Sequence, residues 1–276
     1  MRKAALRSYA LLPRQYDHRK VLATTVDAWG RALWLVCPDA ELEPRRHGPP
    51  HPRPRRRPYD ALLVTVDGGV VNAQTVHGVG IQVSYVDALP NGRLILAQGR
   101  QCGEQRSAQI FGRDGRHRKS FQMGDAVEFM MTDRRNHIWS AYFDEGVYAD
   151  PVSAAGLARW DSGGQPEWRY SPPAGVEYID TVYALNAEDG VTWACYYPTF
   201  PLLEVRTDGQ TRVRTSPVVA PLGIAVKGDE VAMLGGNRRP DQLQRCRITD
   251  REIQPIEEAQ LTLPGGGHPS DAMRVR

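Results

Sequence analysis

The sequence predicts an all-β protein, a β-propeller with five recognisable four-stranded blades. Three observations carry that expectation. Two kinds of tight-turn signal alternate along the chain, short runs rich in β-branched and aromatic residues lie between them, and matching positions recur at the spacing of one blade. Ile95, Trp139, Trp193 and Ala232 stand 44, 54 and 39 residues apart, near the ~40–50 residues of a four-stranded propeller repeat. The composition agrees, because 26 Gly and 21 Pro suit many turns and short strands better than long helices.

Each repeat reads as strand, turn, strand, loop, strand, Asp-turn, strand, five times over from Val21 to Leu263. The turns between first and second strands are Asp27-Ala28-Trp29-Gly30, Pro90-Asn91-Gly92, Arg134-Arg135-Asn136, Glu188-Asp189-Gly190 and Lys227-Gly228-Asp229. Those between third and fourth strands are Asp67-Gly68-Gly69, Asp114-Gly115, Asp161-Ser162-Gly163-Gly164, Asp208-Gly209 and Thr249-Asp250-Arg251. Asn-Gly and Asp-Gly supply the positive φ that a tight hairpin demands. The second strands are RALWLVC, RLILAQ, HIWSAYF, VTWACYY and EVAML, and the third are DALLVTV, SAQIFGR, GLARW, LLEVR and LQRCRI. Trp34, Trp139 and Trp193 recur at one place in the second strand, as packing between neighbouring blades requires. Trp160 and Trp168 bracket the Asp161 turn and are expected to face one another across the third and fourth strands, while Trp29 sits at a turn tip.

The ends leave two closures open. Ala5 to Leu12 reads as an outer strand, and HPSDAMRVR after Gly265-Gly266-Gly267 reads as the opening strand of a blade. Either five blades close with these ends as trimming strands, or a sixth blade is incomplete. Residues 1–276 thus read as a single propeller domain with one interruption, the segment EPRRHGPPHPRPRRRP from Glu43 to Pro58 in the first blade. Its six arginines and six prolines bury too little apolar surface to offset ordering, so a disordered loop is expected.

Charge is local. The formal charge is +3, and removing Arg45, Arg46, Arg53, Arg55, Arg56 and Arg57 leaves 3 − 6 = −3. The body is slightly acidic, which argues against a broad nucleic-acid surface; phosphate contact is expected only weakly, through the basic loop, which has no aromatic residue for base stacking. Cys37, Cys102, Cys195 and Cys246 form no CxxC pair and read as structural thiols in a reducing compartment. Arg7 and Ser8 interrupt the N-terminal apolar run, and no segment approaches the ~20 apolar residues of a membrane span. The expectation is a soluble, cytoplasmic chain.

The Asp-Gly hairpins and the RLILAQ, HIWSAYF and VTWACYY strands resemble the NHL and gluconolactonase-like propellers over nearly the whole chain. That resemblance implies a six-bladed type and, in the gluconolactonase-like family, a divalent metal held by a Glu, Asn residues and an Asp on inner strands for lactone hydrolysis. The matching strands here lack the Asn ligands.

Candidate site residues come from the first strands, which converge on a propeller's channel. They supply Tyr85 and Asp87 in VSYVDAL, Asp125 and Glu128 in GDAVEFMM, Glu177 and Asp180 in VEYIDTVYAL, and His268 and Asp271 in GHPSDAM. Tyr85, Asp87, Glu128, Asp180 and His268 are the expected ligand-binding residues. Glu128, Asp180 and Asp271 are the expected ligands should a hard cation such as Ca²⁺ be bound, because carboxylate oxygens suit it. Adjacent Asp144 and Glu145 read as loop residues after HIWSAYF, not as a catalytic pair. No GxSxG elbow and no GxxxxGK[ST] loop occurs, so nucleophilic and nucleotide chemistry have no motif. The function expected first is a non-enzymatic scaffold that binds a protein or small-molecule ligand at the channel mouth, without a cofactor. The alternative is a metal-dependent lactonase or esterase-like hydrolase.

Overall fold

The computed structural model describes residues 2–38, 57–100, 106–188, 190–236 and 239–264. A short N-terminal strand, β1 (Arg2–Ala5), precedes five antiparallel sheets, each built from four consecutive strands. The first blade is β2 (Lys20–Val26), β3 (Ala32–Cys37), β4 (Tyr59–Asp67) and β5 (Val70–Val79). The second is β6 (Tyr85–Leu89), β7 (Arg93–Ala97), β8 (Ala108–Phe111) and β9 (His117–Phe121). The third is β10 (Val127–Thr132), β11 (Ile138–Tyr142), β12 (Leu157–Trp160) and β13 (Pro166–Arg169), with a helix, α1 (Asp144–Ala149), after β11. The fourth is β14 (Thr181–Glu188), β15 (Val191–Tyr197), β16 (Leu202–Arg206) and β17 (Thr211–Arg214). The fifth is β18 (Pro221–Lys227), β19 (Glu230–Gly235), β20 (Gln242–Ile248) and β21 (Ile253–Thr262). All five expected second strands and all five third strands form where the sequence placed them.

Two compact units divide the chain. Ala10–Arg169 holds the first three blades, and Met1–Tyr9 with Tyr170–Arg276 holds the last two. In the second unit β1 adds a fifth, parallel strand to the last sheet along β21, from Arg2 opposite Ala259 to Ala5 opposite Thr262. This trimming strand lies upstream of the expected Ala5–Leu12, because Arg2 is anchored by Glu257 (2.9 Å) and ladder pairing ends with Leu6 N–H donating to Thr262 O. The expected opening strand HPSDAMRVR lies outside the described residues. The Arg/Pro segment falls between β3 and β4 as expected, and all of it but Arg57 and Pro58 lies outside the described residues.

The core sits between successive blades. Leu35, Cys37, Val76 and Val79 of the first blade pack with Val86, Leu96 and Phe111 of the second. Ile95, Ala108 and Ile110 pack with Met130, Ile138, Tyr142 and Trp160 of the third. In the other unit Trp193, Cys195 and Leu202 pack with Ile224, Val231, Met233 and Cys246. Covered on both faces, β11 buries all five of its residues, whereas the outer strand β13 buries none. Burial of an aliphatic side chain contributes roughly 1.5–3 kcal/mol, so stability concentrates in the inner and middle strands. Trp139 and Trp193 are buried as expected.

Trp160 and Trp168 do not face one another. A bulge between Arg159 and Trp160 sets Trp168 opposite Arg159 and Trp160 opposite Pro166. Trp160 then packs on Phe121 and donates to Ser140 Oγ (2.8 Å), while Trp168 stacks edge-on against Trp139.

Candidate functional site

In a four-stranded antiparallel blade, the first-to-second and third-to-fourth connections share one end, and the remaining two connections share the other. These are called here the hairpin end and the loop end. The hairpin end is stapled by aspartates. Asp27 Oδ1 accepts from the N–H groups of Trp29 and Arg31, each at 2.9 Å, and its Oδ2 accepts from Arg31 Nε at 2.7 Å. Asp161 Oδ1 accepts from Gly163 and Gln165 N–H, and Asp133 holds His137 and the Trp139 indole N–H. The recurrent Asp of the sequence is thus a turn-building residue. Two open hollows beside hairpins of the Tyr170–Arg276 unit are lined by Thr249–Glu252 and by Glu204, Arg206, Gln210, Thr211 and Arg212.

The loop end differs between the units. In Ala10–Arg169, α1 seats on the chain before β10. Gly146 has no room for a Cβ, which would strike Asp125 O, and Gly124, at φ 105°, is equally closed in by Ser153 Oγ. Ser153 Oγ accepts from Asp125 N–H (2.9 Å) and lies 2.8 Å from both Asp125 O and Asp150 Oδ2. Arg100 ties the assembly across its outside, pairing with Glu145 and, at 3.3 Å, with Asp125. Asp144 and Glu145 are therefore the first turn of a helix, where carboxylates suit the dipole, and not the plain loop residues expected. Phe143 and Tyr148 of this segment are exposed.

In the Tyr170–Arg276 unit the loop end of the fourth blade is made by two connections, Tyr170–Asp180 before β14 and Pro198–Pro201 after β15. They are laced together underneath. Asp180 N–H donates to Tyr197 O (3.3 Å), Thr199 Oγ1 donates to Glu177 Oε2 (3.1 Å), and the Tyr170 and Tyr196 hydroxyls lie 3.2 Å apart. Phe200 occupies the left-handed region at φ 54° and sets its ring 5.8 Å from that of Tyr197. A side-chain-bearing residue there is strained by about 1–3 kcal/mol, a cost that recurs where local geometry serves contact. The Tyr178 and Tyr197 side chains remain 55% and 44% exposed. The charged residues of the two connections are Glu177 and Asp180, with no Lys, Arg or His.

The predicted residues are distributed as follows. Tyr85 Oη lies 2.8 and 2.9 Å from the carbonyls of Val127 and Glu128; it fastens the second blade to the third. Asp87 is fully buried, with Oδ1 accepting from Ala88 N–H (2.9 Å) and Oδ2 from Thr132 N–H (2.8 Å). Both oxygens accept hydrogen bonds within the fold, from its own blade and from the next. Glu128 is half-buried on β10 in one unit, and Asp180 is half-buried in the other, accepting from Thr181 Oγ1 at 3.0 Å. His268 and Asp271 lie outside the described residues. Among the described residues no three His, Cys, Asp or Glu side chains gather closely enough to hold a metal ion.

Tyr197 was missed because it closes the second strand VTWACYY, and Tyr178 because VEYIDTVYAL read as one continuous strand. The strand begins only at Thr181, so Glu177, Tyr178 and Asp180 belong to a connection. The signal that locates them is Pro172-Pro173 upstream, paired with Pro198 and Pro201 in the neighbouring loop.

Buried nucleophiles are held inert. Burial pushes the Cys246 thiol up to about 11 and raises Cys195 further, so neither is a thiolate at neutral pH. Burial likewise raises the Tyr142 and Tyr196 phenols above the ordinary tyrosine range.

With this geometry in place, the similar proteins define the class. No family model matches the chain, and no curated protein matches it in sequence. Solved structures do. Hsv2 of Kluyvelomyces marxianus aligns with TM-score 0.53 at 8% identity over 88% of this chain and 65% of that one. Hydrazine synthase of Kuenenia stuttgartiensis gives 0.51 at 11% over 87% and 74%, and a nidogen/laminin complex gives 0.50 at 8% over 88% and 81%. The chain therefore spans just under two thirds of the length of the first. Identities this low speak to fold alone. The chain is a β-propeller, and among its described residues no helix is long and apolar enough to cross a membrane.

Proposed function

We propose that this propeller is a non-enzymatic binding scaffold whose contact surface is the loop end of its blades, with a protein as partner. The observation that carries the reading is the placement of exposed aromatic side chains. Phe143 and Tyr148 in one unit and Tyr178 in the other stand on loop-end connections, and Tyr197 ends β15 at the loop end of its blade. Tyrosine offers a large, stiff surface with a polar tip, and is enriched where proteins meet. The hairpin end carries Trp29, which lies under the Arg31 guanidinium (5.2 Å), the exposed Val70 and Val71, and turns of which those at Asp27, Asp114, Asp133, Asp161 and Asp208 are held by their own aspartates.

Site-specific photo-crosslinking tests the reading. A benzophenone side chain placed at Tyr148 or Tyr197 is expected to capture a discrete partner, while the same probe at Asp67 or Asp208, on hairpin tips, captures none. Equal capture from both ends, or none from the loop end, would overturn it.

A further inference from the structure

We propose that the indole–guanidinium pair of the fourth blade, Trp193 with Arg214, forms a binding site for a small-molecule carboxylate. The site stands independently of the loop-end surface. Strand register builds the pair. Trp193 on β15 lies opposite Glu204 on β16, and Glu204 opposite Arg212 on β17, while Cys195, Leu202 and Arg214 form the next row. Alternation puts both rows on one face of the sheet, the face whose Trp193, Cys195 and Leu202 pack with the fifth blade. There the Arg214 guanidinium carbon lies 5.9 Å from the Trp193 ring centroid, its Nε donates to Thr249 O (2.7 Å), and its Nη2 lies 2.9 Å from Glu204 Oε2.

The first support is a set of donors without acceptors. Trp193 is 6% exposed and Arg214 4%, yet Trp193 Nε1 and Arg214 Nη1 have no hydrogen-bond partner among the described residues. An indole nitrogen and a guanidinium only donate. Nη1 carries two hydrogens and the indole nitrogen one, which is more than the two lone pairs of a single water accept, whereas a carboxylate offers about four acceptor sites.

The second support is the equivalent place in the third blade. Trp139 holds the same position in its second strand, with the Arg159 guanidinium 5.6 Å from its ring centroid, and its indole N–H donates to Asp133 Oδ2 at 3.2 Å. The third blade thus contains a completed version of the arrangement, and a carboxylate oxygen completes it. Glu204 does not do so for Trp193, because its two oxygens are engaged by Arg206 Nε and Arg214 Nη2, each at 2.9 Å.

The third support is charge and room. Arg212 is paired with Asp250 (2.9 Å), while Arg206 and Arg214 share Glu204, one negative charge against two positive. A monocarboxylate balances that excess, and a guanidinium binds it through charge-assisted hydrogen bonds. Glu204, Arg206, Gln210, Thr211 and Arg212 line an open hollow of about 320 Å³. Glu204 is therefore common to the hollow and to the pair, and the hollow is the way in for a ligand of a few heavy atoms.

Proton–nitrogen NMR correlation spectra of the tryptophan indoles in the full chain test this, with sodium acetate as the probe and sodium chloride at equal ionic strength as the control. The Trp193 signal, identified by its loss in Trp193→Phe, is expected to shift saturably with acetate and not with chloride. The Trp139 signal, whose N–H already has its carboxylate, should stay in place. Arg214→Lys keeps the charge but removes the planar fork, and should weaken acetate binding at least about tenfold. Arg206→Gln changes an exposed residue, should weaken binding several-fold, and decides the question if Arg214→Lys does not fold. A Trp193 signal that ignores acetate, one that follows chloride equally, or an affinity unchanged by these substitutions would overturn the proposal, the first being the result expected if water answers the two donors.

Discussion

The two loop ends occupy the same place in their blades and are built for different ends. Around α1, glycines without room for a Cβ, a serine hub and an arginine clamp turn a fourteen-residue connection, Phe143–Gly156, into a fixed part of the fold. Beside β14 and β15 the connections are proline-marked, laced beneath by backbone and Thr199, with their tyrosines and Glu177 turned outward. The first region pairs Asp125 and Glu145 with Arg100, whereas the second exposes Tyr178, Tyr197 and Glu177; the proposed binding surface rests on that contrast.

The contrast can be broken by substitutions, the largest effect being expected at Gly146. Gly146→Ala puts a methyl against Asp125 O, and backbone cannot step aside as a long side chain would. A loss of about 3 kcal/mol is expected, the upper range for overpacking, measured by urea denaturation. A cost below ~1 kcal/mol would show that α1 rides loosely and that the two loop ends are alike. Next is Ser153→Ala, which strips Asp125 N–H of one of its two acceptors and Asp150 Oδ2 of its hydroxyl donor, leaving that oxygen the N–H groups of Asp125 and residue 153. About 1–2 kcal/mol should be lost.

Much of this architecture was legible because its signals are local. Asp-Gly and Asn-Gly fix hairpins through φ, as Asn91 (64°) and Gly115 (72°) do, and the β-branched runs between them pair with their neighbours in sequence. Strand identity therefore followed from neighbours in sequence. The site was less legible because it depends on where strands end. Glu177 and Tyr178 fall in a connection because the strand opens at Thr181, five residues after the expected Val176, and Asp87, which looked like a channel carboxylate, bonds the N–H of Thr132, 45 residues away. Nothing in VSYVDAL announces a partner so distant. The bulge that separates Trp160 from Trp168 was equally silent, since a bulge is a property of two strands and leaves no mark on one.

A third test asks whether the Tyr170–Arg276 unit is capable of neutralising its carboxylates where the fold needs it. Glu204 is nearly buried, 2.9 Å from both Arg206 Nε and Arg214 Nη2. Desolvation pushes its carboxyl upward, but the hydrogen bonds and charges of the two arginines outweigh that and hold it below the usual range. A lowered folded value contributes stability that is fully present above the unfolded value of ~4.3 and is lost as pH falls through the folded one. Glu204→Gln is expected to flatten that part of the acid limb in a stability-against-pH series. An unchanged limb would mean that the pair contributes nothing.

The smallest stability effect is expected at Glu177, and its smallness is the point. Glu177→Gln keeps the acceptor for Thr199 and removes a charge from an exposed position, so stability should move by less than ~0.5 kcal/mol. Glu145→Gln in the other loop end removes the partner of Arg100 and should cost up to ~1 kcal/mol, the range of a partly exposed ion pair. The order reverses for partner binding under the scaffold reading, where Glu177→Gln should weaken crosslinking from Tyr197 and Glu145→Gln should leave it alone. A residue that barely matters to folding yet controls contact is what a binding face requires, whereas a carboxylate important to both would mark Glu177 as one more staple of the fold.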